Sequence, residues 1–435
     1  MANAASQELA ERWAKDLNAI PQPGGPEWLV QLKNNAVGEF SRNGLPHRKV
    51  EAWKYTPLKL LEAANPGITA KASPGHGANF SRNLLPEAAL TVDILDGAIP
   101  EDLPATLPGV SVMPFSSALK IHEERIRNLL ESVDLSGPGH AFAALNTACV
   151  DRGLVVHVEA GTEAGSLLLR WASGLSQEAQ LVPFRLIVLL DQGASLELLE
   201  QHSGGSTDSG ALNLLVQAEL GAGAKLDHVR VQDEPDQAVL LTASSVQQAS
   251  ESQYSFTGFD LGGGLVRHEL NVTLAGEGAS TQLAGACVLD GSRHGDTRVS
   301  VDHAAPGCTS EQFFRGVLGG RSRGVFNGRA LIQKGADGSS VQQSNANLLL
   351  SRLAEIDTKP ELEIYADEVE ASHGATVGQL DDAAVFYLRS RGLSEAEARR
   401  LLTAAFCHAV TSRLNNRELA EKISPMVDAA MPEST

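Results

Sequence analysis

Closely spaced cysteines are missing from this chain. Its four, Cys149, Cys287, Cys308 and Cys407, are separated by 138, 21 and 99 residues, and no C-x-x-C pair occurs. A self-contained zinc or iron–sulfur site is therefore not expected, nor is a disulfide framework in so large a chain. Aromatic residues are scarce at 5%, which leaves few of the platforms that sugar sites use. Basic residues are outnumbered 53 to 35, a formal charge of −18. That field repels a phosphate backbone, so nucleic acid is not an expected partner. No run of ~18 apolar residues is present to span a membrane. Met1 to Leu9 lack a basic start followed by an apolar stretch, so a cytoplasmic protein is expected. Nucleotide-binding G-K-[ST] and the hydrolase G-x-S-x-G are absent, and His122-Glu123 and His268-Glu269 each lack the second histidine of a zinc protease. Gly262-Gly263-Gly264 precedes no helical pattern and reads as a turn.

Apolar residues (43%) and glycine (41 residues) are plentiful. Gly165, Gly193, Gly223, Gly278, Gly307 and Gly335 recur at intervals of 28, 30, 55, 29 and 28. The 55 is close to two periods, and the skipped copy falls near Ala249-Ser250. Alternating segments such as Ser166–Arg170, Ser195–Leu199, Lys225–Val231, Phe184–Leu190 and Leu265–Leu274 lie at or between these corners. Period-two alternation turns one side chain inward and the next outward, while glycine supplies the positive φ of a sharp corner. No helical pattern separates the strands, which excludes βαβ units. The pattern predicts a mainly β chain, a β-solenoid with a repeat of about 28 residues, each coil burying its inward face only against its neighbours. A β-sandwich with accidental glycine spacing is the alternative.

The flanks are helical. Glu8 to Asn43 reads as two helices ending before Gly44, and Ser117 to Val133 as another. Asp382 to Arg391 is helical and stops at Gly392, Ser394 and Glu397 form a capping box, and Ala398, Leu401, Leu402, Ala405 and Ala409 make an apolar stripe. Asn415-Asn416 interrupts before a last helix from Arg417. The expected organisation is 1–150, an N-terminal helical and mixed region; 151–377, the solenoid; and 378–435, a C-terminal helical domain.

Few residues carry obvious chemistry. Asp296, Asp302 and Asp337 could serve a solenoid polysaccharide-active enzyme, but they differ in phase on the repeat. Asp302, His303 and Cys308 cluster at a corner, best read as local hydrogen bonding. His373, in Ser372-His-Gly-Ala-Thr-Val-Gly378, has small neighbours and is expected to be accessible. A neutral imidazole there is equally suited to cap hydrogen bonding and to iron or zinc ligation, and one histidine needs further ligands from another chain.

The segment Leu348 to Val369 (LLLSRLAEIDTKPELEIYADEV) closely resembles the SufB/SufD family, scaffold subunits of the Suf iron–sulfur cluster assembly machinery. So do Ser372–Gly378, Phe386–Gly392 (FYLRSRG), Phe314–Leu318, Val325–Arg329 and Arg48–Thr56. The pattern S-H-G-A-T-x-G-x-L followed by F-Y-L-x-S-R-G is that of the SufD branch. The resemblance implies a right-handed parallel β-helix that pairs with a SufB-like scaffold and docks a SufC-like ATPase through its C-terminal helices, as a non-catalytic subunit. Phe386, Tyr387, Leu388, Leu401, Leu402 and Phe406 fall in the implied docking region, Asp382 to Leu414. It also implies that His373 faces a SufB cysteine where a transient iron–sulfur cluster or iron is held. Many SufD proteins carry Cys two residues before that histidine, and here the residue is Ala371. Reduced flavin is associated with such complexes, although no flavin fingerprint occurs in this chain. A homodimer handling iron acquisition or delivery without SufB is the alternative reading.

Overall fold

The computed structural model describes residues 4–20, 25–68, 83–101, 103, 107–172, 179–204 and 210–432. The N-terminal region contributes α1 (Ala4–Ala19), α2 (Glu27–Asn43), α3 (Lys59–Ala64), β1 (Gly67–Ile68), β2 (Leu90–Leu95) and β3 (Val110–Pro114). It continues with α4 (Phe115–Ala118), α5 (Glu123–Glu131) and α6 (Ala141–Ala148). α2 ends as the sequence predicts: Gly44 takes φ +65° and its N–H donates to Phe40 O at 2.8 Å. The helix expected over Ser117–Val133 is broken at Leu119–His122, where the chain turns between α4 and α5.

From Gly153 the chain winds as a parallel β-solenoid. Its strands are β4 (Gly153–Val158), β5 (Glu163–Ala172), β6 (Gln180–Leu190), β7 (Ser195–His202), β8 (Ala211–Leu220) and β9 (Lys225–Gln232). They continue as β10 (Val239–Gln248), β11 (Gln253–Asp260), β12 (Leu265–Leu274), β13 (Ser280–Leu289) and β14 (His294–His303). The last are β15 (Thr309–Leu318), β16 (Arg323–Ile332), β17 (Ser339–Leu349), β18 (Glu355–Ile364) and β19 (Val369–Gly378). Even-numbered strands stack in one sheet and odd-numbered strands in the other. β2 joins the odd sheet in parallel and β3 closes the even sheet antiparallel to β4, so the N-terminal region supplies the first edge of both.

The corners explain the repeat. All six periodic glycines have positive φ, between +67° and +87°. The skipped copy is occupied by Glu251, whose φ of +58° is the same left-handed conformation, uncommon for a residue with a Cβ. Between the sheets lies a core that includes Leu169, Leu186, Val216, Leu270 and Val301.

Both outer faces are covered, on different sides. The N-terminal helices pack on the even sheet, with Trp13, Phe40, Trp53 and Phe142 against Leu181, Leu241 and Leu265. The tail, α7 (Asp382–Ser390), α8 (Glu395–Thr411) and α9 (Arg417–Ala430), puts Cys407, Val410, Ile423 and Val427 on Val229, Ala286 and Val317 of the odd sheet. The predicted α8 stripe is therefore displaced. Its buried residues are Ala398, Thr403, Cys407, Val410 and Thr411, while Leu401 is 50% exposed and Ala405 faces solvent. The Ser394–Glu397 capping box is formed as predicted.

Candidate functional site

A solenoid buries each coil under the next, so its last coil is exposed unless something caps it. Among the described residues β18 pairs only with β16 and β19 only with β17, which leaves two free edges side by side. The inward phase carries through by register: buried Val341, Gln343 and Asn345 stand beside Ala371, His373 and Ala375, and buried Phe326 and Ala330 beside Thr358 and Leu362. The inward phase of the last coil is thus Ile356, Thr358, Pro360, Leu362 and Ile364 on one strand, and Ala371, His373, Ala375 and Val377 on the other. It is a mainly apolar layer with one hydroxyl and one imidazole, half-buried to exposed. Ile364 (43%), Val377 (49%) and adjoining Tyr365 (64%) are exposed.

His373 lies near the middle of β19, and its ring has no hydrogen bond or ion pair among the described residues. Beneath it the inward positions are amides: Gln343 Nε2 donates to Gln312 Oε1 at 2.8 Å. Asn347 Nδ2 donates to Asn345 Oδ1 at 2.6 Å, and Thr358 Oγ1 donates to the same oxygen at 2.8 Å. The His373 side chain is exposed. Ala371 in the same phase supplies no thiolate, and no three His, Cys, Asp or Glu side chains converge as a metal site among the described residues. Iron held at His373 would take its other ligands from whatever covers the open end.

The tail supplies a second exposed surface. α7 buries only Val385, exposing Phe386 (71%) and Tyr387 (57%); Leu401 of α8 is exposed too, while Leu388, Leu402 and Phe406 are half-buried. The tail is held by a guanidinium–aromatic stack: Arg315 and Arg413 lie 3.6 and 3.8 Å from the Phe313 ring centroid, and Arg413 pairs with Glu311 at 2.7 Å.

The other sequence candidates have structural work. Asp296 is buried between Arg267, Arg298 and the Thr56 hydroxyl, and the Arg267 guanidinium lies 3.8 Å from the Trp53 ring centroid. Trp53 and Thr56 of the Arg48–Thr56 motif thus clamp the N-terminal region to the even sheet. Asp302 accepts from Gln333 at 2.7 and 2.9 Å, and Asp337 accepts the N–H groups of Asp367 and Glu368 at a corner. His303 bonds Ser310 Oγ at 2.8 Å, Cys308 donates to Gly276 O, and burial lowers His303 to about 4. Local hydrogen bonding is what that corner does.

Sequence reasoning missed the polar interior. Glu200 is fully buried and bonded to His202 (3.0 Å) and His228 (2.8 Å), and Arg230 pairs with Asp260 at 2.9 Å. Burial would raise the Glu200 carboxyl, but the two imidazoles hold it below its ordinary range. A signal was there: Glu200 and His202 share the phase of Leu196 and Leu198 on β7, and charge in an inward phase requires buried partners.

The chain is similar to known proteins over most of its length. A family model described as "SUF system FeS cluster assembly, SufBD core domain" matches residues 174–406. An iron–sulfur cluster assembly SufBD family protein of Synechocystis is 30% identical over 401 residues, 89% of this chain and 87% of the relative. The iron–sulfur cluster assembly protein SufD of Escherichia coli is 28% identical over 403 residues, 91% of each. Protein ABCI7, chloroplastic, of Arabidopsis thaliana is 26% identical over 431 residues, 95% of this chain and 88% of the relative.

Proposed function

The chain belongs to the SufBD family of the SUF iron–sulfur cluster assembly system, and from that premise we propose that it is a non-catalytic scaffold subunit. Its open solenoid end joins a SufB-like chain, its tail docks a SufC-like ATPase, and the nascent cluster is the cargo built where the two scaffolds meet. The observation that carries this reading is the uncapped last coil, which sets two unpaired edges and a mainly apolar layer around one accessible imidazole. A covering chain would pair the free backbone groups, bury Ile364, Tyr365 and Val377, and bring its own donors to His373. Iron with mixed histidine and thiolate ligation is established chemistry, and Ala371 leaves the thiolate to the partner. Phe386, Tyr387 and Leu401 form the exposed aromatic and aliphatic anchors that an ATPase subunit would cover.

A second reading is a homodimer that handles iron by itself, because the same free edges are available to another copy. A hydrolytic enzyme is disfavoured by the structural engagement of Asp296, Asp302 and Asp337. The test is anaerobic purification of the tagged chain from its native host, with identification and stoichiometry of what accompanies it. A SufB-like chain and an ATPase in fixed ratio is the expected result. A lone homodimer at low salt would overturn the heteromeric reading in favour of the second.

A further inference from the structure

Positive charge is concentrated in one stretch of this acidic chain. Residues 42–59 hold five basic side chains against one acidic, whereas over the whole chain acids outnumber bases 53 to 35. Elsewhere guanidinium groups face carboxylates, as Arg125, Arg170, Arg293 and Arg329 do. Arg48, Lys49 and Lys59 are exposed, and none of them makes an ion pair among the described residues. All three line one concavity of about 750 Å³ beside α3. Its one carboxylate among the described residues, Glu62, accepts from the Ser6 hydroxyl. Both cationic walls stand on anchored backbone. Leu45 and Pro46 are buried ahead of the first, where Lys49 N–H donates to His47 Nδ1 at 3.2 Å and Val50 N–H to His47 O at 2.8 Å. That turn presents Arg48 and Lys49 together. Ahead of the second, the buried Thr56 hydroxyl donates to Asp296 of β14, and Leu58 is buried next to Lys59. Trp53 and Thr56 clamp the N-terminal region, but the three cations take no part in the clamp.

We propose that this concavity binds the diphosphate group of a small molecule. Cations gathered without counter-ions repel one another, and an anion placed among them offsets that cost. A concave wall of one sign also focuses its field and concentrates counter-ions. The Arg48 guanidinium offers a planar fork to two phosphate oxygens, and the two ammonium groups supply point charges on separate segments. Three cations match the charge of about −3 on a terminal diphosphate better than that of a dicarboxylate. The volume is that of a metabolite site. A long phosphate backbone would meet the acidic surface around it, so the ligand is small.

Isothermal titration of the full-length chain with pyrophosphate, free of divalent cations, tests the site. One saturable site per chain is expected. Arg48→Ala and Lys59→Ala should each weaken it about tenfold, and Arg48→Lys, which keeps the charge without the fork, should weaken it less. Arg417→Ala, which removes an exposed cation paired with Glu421 on α9, should change it less than about twofold. All of these side chains are exposed, so melting temperatures should stay in place and serve as the fold control. No saturable binding by the intact chain at millimolar pyrophosphate, or unchanged affinity in Arg48→Ala and Lys59→Ala, overturns the site. Inorganic phosphate or malonate binding as tightly as pyrophosphate overturns the diphosphate assignment. Saturation by a glutamate-rich peptide but not by pyrophosphate overturns the small ligand in favour of an acidic protein segment.

Discussion

Glu251 stands where the repeat calls for glycine, and Glu251→Gly is predicted to stabilise the protein. The left-handed conformation costs a residue with a Cβ about 1–2 kcal/mol, which glycine avoids. Glycine returns about 0.5–1 kcal/mol through the greater freedom of its unfolded chain. The exposed Glu251 carboxylate makes no ion pair among the described residues, and it lies over Gly278, where a Cβ would come 2.5 Å from Glu251 Oε1. Little is lost with the side chain, so the net gain is about 0.5–1 kcal/mol. Corner amides report it best: Glu251 N donates to Glu277 O, and Gln253 N to Ala224 O. If they exchange by local opening, their hydrogen exchange should slow about two- to fivefold. Gly223→Ala, at φ +67° in the preceding corner, should shift stability the other way by about 1–2 kcal/mol. Faster exchange in Glu251→Gly, or no effect of Gly223→Ala, would refute the account of the corners.

Three other outcomes are expected. Asp296→Asn leaves Arg267 and Arg298 without their shared carboxylate, a loss of about 3–5 kcal/mol. Protease should then cut faster near Trp53–Thr56 while the amides of β6 to β12 exchange as before; uniform loosening would contradict the clamp. Burial raises the Glu234 carboxyl to about 8 from an ordinary 4.5, so the folded protein keeps a proton that the unfolded chain releases. That stability is complete below about pH 4.5 and is lost as pH rises toward 8. Denaturant titrations should show Glu234→Gln flattening the slope by up to about 1.4 kcal/mol per pH unit, and an unchanged slope would count against the buried proton. Phe386→Ser with Leu401→Ser should cut ATPase capture about tenfold or more and leave the melting temperature within about 1 °C, since both side chains are exposed.

The corners were legible because positive φ selects glycine strongly enough to leave a period in the sequence, and the flanking alternation marked the strands. Glu251 hid one corner because a strained residue carries no compositional mark. Hydrophobicity alone misjudged α8, where the side that packs on the odd sheet includes Thr403, Cys407 and Thr411 while Leu401 is left outside. Ser117–Val133 kept its helical periodicity across a chain turn, so periodicity did not reveal the break. At the candidate site, the small neighbours of His373 announced its accessibility, but the inward phase it shares with Gln343 appears only once the strands are in register. The buried Glu200 network needed phase and charge to be read together along β7.

The central claim, that His373 holds a nascent cluster at a junction with a second scaffold, is tested most directly by His373→Ala in the anaerobically reconstituted complex. Particle mass and iron–sulfur absorbance would be read on the same sample. The account predicts a complex of unchanged mass and stoichiometry with the cluster signal lost. A wild-type cluster signal from an intact His373→Ala complex would contradict it.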